Sequence, residues 1–119
     1  KAKYHAAASI LSNQVIAVLD MGYTLLEDCG FTRAEAVRAT GQLVMRNIEN
    51  VLEAGCDGAL TGPIERNDIE TVKKHIACMQ NDDSDDVSLY KMLGTKLVNI
   101  AEKKNPDKDY TQMMELLRG

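Results

Sequence analysis

The chain has no tryptophan, a single phenylalanine and four tyrosines among its 119 residues. That leaves little aromatic surface for stacking on exposed bases. Nor is there a basic excess: 14 Lys and Arg against 18 Asp and Glu give a formal net charge of -4. A mildly acidic chain with scattered lysines lacks the electrostatic footprint of a nucleic-acid binder or of an anionic-membrane binder. No uninterrupted apolar run approaches the roughly 20 residues that span a bilayer, so neither nucleic acid nor membrane is an expected partner. Cysteine is scarce too, and Cys29, Cys56 and Cys78 are odd in number, far apart and without a CxxC pair. This argues against a disulfide framework and a zinc site, and it fits a reducing cytoplasm. Each thiol is expected to be a small buried hydrophobe. His5 and His75 are the only histidines, too few to hold a metal without carboxylate help, and no metal is expected.

Enzyme signatures are missing as well. There is no GxGxxG after a strand, no GxxxxGK[ST], no HExxH and no nucleophile elbow. Gly55, Gly58 and Gly62 have the wrong spacing for a dinucleotide fingerprint, and no strand precedes them. No β-alternation of useful length and no internal repeat is present. What remains is one domain over residues 1–119, all-α, a helical bundle of about five helices. The chain opens KAKYHAAAS, without an initiator Met and already in helical pattern, so it reads as a piece of a longer protein.

Residues 3–28 contain no proline and only Gly22, and Ala7, Leu11, Val15, Val18, Leu25 and Cys29 recur on one face at 3.6-residue spacing. Gly30 is a C′ stop, and TRAE from Thr32 to Glu35 is a capping box for a second helix. That helix carries Val37, Val44, Ile48 and Val51 on one face and ends near Gly55. A third starts close to Asp68, a plausible N-cap, and buries Val72, Ile76 and Met79. The acidic QNDDSDD loop places its later aspartates at the positive N-terminal end of a fourth helix. There Tyr90, Leu93, Leu97 and Ile100 form the stripe, with Lys103 and Lys104 at its C-terminal end. Asn105 and Pro106 break the pattern, and Met113, Met114, Leu116 and Leu117 indicate a short final helix.

The polar residues of the first helix fall within an arc of roughly 120°, and the rest of its circumference is apolar. A long helix buried that broadly needs a second chain or domain to cover it, so a homodimer or a domain interface is expected. Within the polar arc His5, Ser9 and Asn13 are spaced i, i+4, i+8 and line one strip. Such a strip offers a proton donor, a hydroxyl and an amide to one ligand; it also suits a solvated face.

The segment GCDGALTGPIERNDIETVKKH is the other candidate. Gly62 and Pro63 fix a tight structural turn after Thr61. Arg66 and Asp68 lie near a helix N-terminus, where free N–H groups attract anions. Arg66 can hold a carboxylate or phosphate in bidentate fashion, or pair with Asp68 or Glu65 at the surface. His75 lies two turns further along and could face back toward the turn, or serve as a structural hydrogen-bonder.

Taken together, YHAAASILSN, NIENVLEAGCDGALTGPIERNDIETVKKHI and LYKMLGTKLVNIA resemble a family that pairs an N-terminal Rossmann-like NADP-binding domain with a C-terminal helical domain of unknown function. The helical domain is similar to those of 6-phosphogluconate dehydrogenase, ketopantoate reductase and pyrroline-carboxylate reductase, in which it dimerises and closes the active site. The resemblance covers roughly residues 3–104 and is most specific in ALTGPIERNDIETVKKH. Its motif positions fall on Tyr4, His5, Ser12 and Asn13, and on Thr61, Gly62, Pro63, Arg66, Asp68, Thr71, Val72 and His75.

The resemblance implies the C-terminal dimerisation and substrate-side domain of an NADP-dependent oxidoreductase, with the cofactor held by a Rossmann domain absent from this chain. Arg66 and Asp68 would then meet a small anionic substrate, and Asn13, Ser9 and Thr61 would hydrogen-bond it. His5 or His75 would be the acid/base, imidazole being the side chain that titrates nearest neutral pH. Related reductases carry a lysine one turn before the asparagine; here position 9 is Ser9, which moves the proton donor or removes catalysis. A dimeric, non-catalytic ligand-sensing or scaffold module is the alternative. The family often has glycine where this chain has Asn67.

Overall fold

The computed structural model describes residues 1–80 and 85–119. Among them every regular element is helical, as the periodicity predicts. α1 (Ala2–Ser9) runs through a π-helical turn, Ile10–Gln14, into α2 (Val15–Asp28) as one continuous rod. α3 is Arg33–Ala59, α4 Ile69–Met79, α5 Asp86–Lys104 and α6 Thr111–Arg118, which makes five rods. The chain divides into two units, Lys1–Met45 and Arg46–Gly119.

In the first unit the helix ends follow local chemistry. Gly30, at φ 102°, lets the backbone turn left-handed after α2. Gly30 N–H then bonds Glu27 O at 2.9 Å and Phe31 N–H bonds Leu26 O at 3.2 Å, the paired bonds of a Schellman stop. Thr32 and Glu35 form the expected capping box, with N–H to side-chain bonds of 2.8 and 3.1 Å in the two directions. Arg33 reaches back to α2, where it meets Asp20 at 3.2 Å, Glu27 at 2.9 Å and Thr24 at 3.2 Å.

Much of the apolar circumference of the first rod is exposed, although Leu19, Met21, Leu25 and Leu26 are half-buried. Leu11 is 77% exposed and Ile16 64%, and α1, the π turn and α2 contain no buried residue. The rod Ala2–Asp28 is long and apolar, and none of its most apolar stretch is buried. By length and composition alone that is apolar enough to cross a membrane, although Ser9, Ser12, Asn13 and Gln14 interrupt the run.

The second unit holds the core. Ile64, Val72, Ile76, Val98, Ala101, Tyr110, Met113 and Leu117 are buried together, and α4 buries Val72, Ile76 and Met79 as its spacing predicts. On α5 the buried line is Gly94, Val98 and Ala101, one position round from the expected Tyr90, Leu93, Leu97 and Ile100, which are only half-buried. The shift has a packing cause. A Cβ at Gly94 would meet Leu117 Cδ2 at 2.8 Å and Cδ1 at 3.0 Å, so the missing side chain lets α6 lie close against α5.

Asp85 occupies the N-cap position of α5 without a side-chain cap bond and Asp86 lies in the first turn, while residues 81–84 of that loop lie outside the described residues. The cysteines depart from expectation: Cys29, Cys56 and Cys78 are all free and exposed. They sit at a helix end, in the turn after a kink and on the outer side of α4, places the core does not reach.

Candidate functional site

Gly55, with φ 76° and ψ 174°, breaks α3 internally, which is where the glycine-rich segment predicts the helix end. One further turn closes with Leu60 N–H bonding Cys56 O at 3.1 Å. Gly62, at φ 100°, then reverses the chain. From Pro63 the backbone makes a single tight turn. Asn67 N–H bonds Ile64 O at 3.1 Å and Asp68 N–H bonds Pro63 O at 2.8 Å, a second Schellman arrangement. Its left-handed residue is Asn67, at φ 58°. Only glycine takes that conformation freely, and asparagine is among the better-tolerated substitutes.

Asp68 ends this turn and starts α4. Its carboxylate accepts from Thr71 N–H at 3.1 Å and from Thr71 Oγ1 at 2.7 Å, the N-cap the sequence suggests. The Thr71 hydroxyl first, then the Thr71 amide, holds the carboxyl below its ordinary range, with smaller help from Arg66 and Lys74. Arg66 is 58% exposed in its side chain and approaches Asp68 only at 3.9 Å. Most of its guanidinium donors therefore face solvent beside the N-terminal end of α4.

Glu65 points the other way. Its carboxylate accepts from Asn105 Nδ2 at 3.0 Å and lies 3.6 Å from Lys108 Nζ. Tyr110 OH donates to Glu65 O at 2.6 Å and accepts from Asn105 Nδ2 at 3.0 Å. Lys104 Nζ donates to Leu60 O at 2.6 Å, and Asn67 Nδ2 to Asp109 O at 3.0 Å. Sequence reading missed these partners. They lie 40 to 45 positions from the turn, where neither helical spacing nor capping patterns reach.

His75 is half-buried and shares a hydrogen bond of 2.9 Å between Nδ1 and Tyr90 OH, with the rings edge-to-face at 5.9 Å. Burial first, and Cys78 second, pushes the Tyr90 phenol above its ordinary value. Of the two sequence readings of His75, the structural hydrogen bond is therefore present. Thr61 is exposed and borders a cavity of about 200 Å³ with Val51, Cys56, Leu97 and Ile100. A larger open depression, about 510 Å³, lies between α5 and α6 against Glu102, Met114 and Arg118 and includes none of the predicted site residues.

His5, Ser9 and Asn13 belong to the first unit and Thr61, Arg66, Asp68 and His75 to the second. The i, i+4, i+8 strip runs into a π turn at Ile10–Gln14. Ser9 Oγ consequently meets Gln14 Oε1, at 3.5 Å, and Ser12 Oγ donates to Ala8 O at 2.6 Å. Such back-bonding to the preceding turn bends helices. Among the described residues no three His, Cys, Asp or Glu side chains are grouped to hold a metal ion.

No curated protein sequence and no solved structure matches the chain significantly. A family does: residues 1–97 match the one described as "Domain of unknown function (DUF2520)", and a match over that much of an all-helical chain makes it a member of that family.

Proposed function

We propose that this chain is the dimerisation and substrate-side domain of an NADP-dependent oxidoreductase, similar to the C-terminal domain of 6-phosphogluconate dehydrogenase. The observation that carries the reading is Arg66: a largely solvent-facing guanidinium on a turn closed by its own backbone bonds, beside the N-terminus of α4. That arrangement suits a small anionic substrate, since a solvent-facing guanidinium favours negative charge. Asn13, Ser9 and Thr61 would add hydrogen bonds to the substrate, and His5 or His75 would move its proton.

The residues present do not fit a dinucleotide. Gly55 sits in a helix kink and Gly62 in a reverse turn, whereas a phosphate cradle needs a strand-to-helix loop. NADP is therefore assigned to a Rossmann-like domain outside this chain, which is the expected partner together with a second copy. Exposed free thiols at Cys29, Cys56 and Cys78 support a reducing, cytoplasmic setting.

One observation favours a second reading, a dimeric ligand-sensing or scaffold module without catalysis. Position 9 offers a serine already bonded to Gln14 rather than a lysine. Titration with NADPH, followed by its fluorescence, separates the two when run on the gene's full product and on this chain. Binding to the full product alone is expected, and Arg66→Ala should then weaken carbonyl or imine substrates without weakening NADPH. Binding to neither protein refutes the oxidoreductase reading.

A further inference from the structure

The turn that presents Arg66 is gripped from one place. Within the segment Lys104 to Tyr110, Lys104 holds Leu60 O, Asn105 holds the Glu65 carboxylate, Tyr110 holds Glu65 O, and the Asp109 carbonyl receives Asn67. The grip encloses the turn on both sides of Gly62 and Pro63. It is also well supported from below. Tyr110 is 2% exposed and packs in the same core as Ile64, the one buried residue of the turn. Arg66 itself takes no bond from the segment. Its backbone is fixed through Glu65 before it and Asn67 after it.

We infer that Lys104 to Tyr110 is a clamp that sets the direction of the Arg66 guanidinium, with Tyr110 and Asn105 as positioning residues of the candidate anion site. The inference rests on the substrate-side reading of Arg66. The clamp lies beyond the residues that match the family, 1–97, so the turn that carries Arg66, inside the matched region, is held from outside it.

Tyr110→Phe is the cleanest probe, because it keeps the buried ring and deletes only the hydroxyl that bonds Glu65 O and Asn105. Asn105→Ala provides a second variant at a less buried position. The readouts are amide hydrogen exchange at Arg66, Asn67 and Asp68, the Arg66 Nε–H resonance, and its response to sodium acetate. Losing one such hydrogen bond should speed exchange at these amides roughly three- to tenfold relative to α4 and α5, move the Nε–H signal and weaken acetate. Val98→Ala, which loosens the same core without touching the clamp's bonds, should slacken α4, α5 and α6 together. Turn exchange that stays unchanged in both variants, or changes only as it does in Val98→Ala, overturns the clamp. If exchange accelerates but acetate moves Arg66 in neither wild type nor variant, the clamp stands and the anion-site reading of Arg66 falls.

Discussion

Asp68 does two jobs in one residue, its backbone N–H ending the Arg66 turn and its side chain capping α4, and its charge is what makes the second job strong. The carboxyl is held below its ordinary value of 3.8 by the Thr71 hydroxyl and then the Thr71 amide. A depressed folded value contributes stability that is present above the unfolded value and is lost as pH falls through the folded one. Asp68→Asn should therefore lower the melting temperature at pH 7, and the gap to wild type should close as pH is taken below about 3.8. A gap that is constant with pH would mean the charge contributes nothing. Asp68 was legible in the sequence because capping is a three-residue affair. The same locality made Gly30 and the Thr32–Glu35 box readable. Asn67 was legible only as a departure from glycine, and its φ of 58° supplies the reason.

Elements were less legible where neighbours decide. α4 buries the residues its spacing names, whereas the buried face of α5 is turned by one position. A glycine counts for nothing in a hydrophobic pattern, yet Gly94 is the point of closest approach to Leu117. Gly94→Val should destabilise the second unit by about 2 kcal/mol, the ordinary cost of overfilling a packed core. Leu117→Ala in the same chain should recover part of that loss. Additive losses in chemical denaturation would show that the two residues do not compete for the space. The π turn escaped detection for a related reason. A wheel drawn at 3.6 residues per turn assumes the regularity that Ile10–Gln14 breaks, so it does not hold for positions beyond that turn. The cysteines misled because thiols are so often buried, and no local pattern marks the exposed ones.

For the whole molecule, the uneven covering of apolar surface is the main finding. The second unit has a core, while Leu11, Ile16, Leu43 and Leu52, on the first rod and α3, are each at least 64% exposed. We propose that a second copy covers the first rod. Light scattering at high micromolar concentration should give about twice 13.1 kDa, and Val15→Asp or Val18→Asp should halve that mass or unfold the chain, since a charge is costly to bury unpaired. A wild-type mass near 13.1 kDa would refute self-association of this chain and leave another domain or a lipid surface as the cover.

The grip of Tyr110 on Glu65 also has a temporal side. A nascent chain delivers Glu65 to the ribosome's exit 45 positions ahead of Tyr110, and at 5–20 residues per second that is a delay of roughly two to nine seconds. During that interval the Arg66 turn lacks the bonds from Asn105, Asp109 and Tyr110, so a chaperone that meets the emerging polypeptide encounters a looser turn than the finished protein displays.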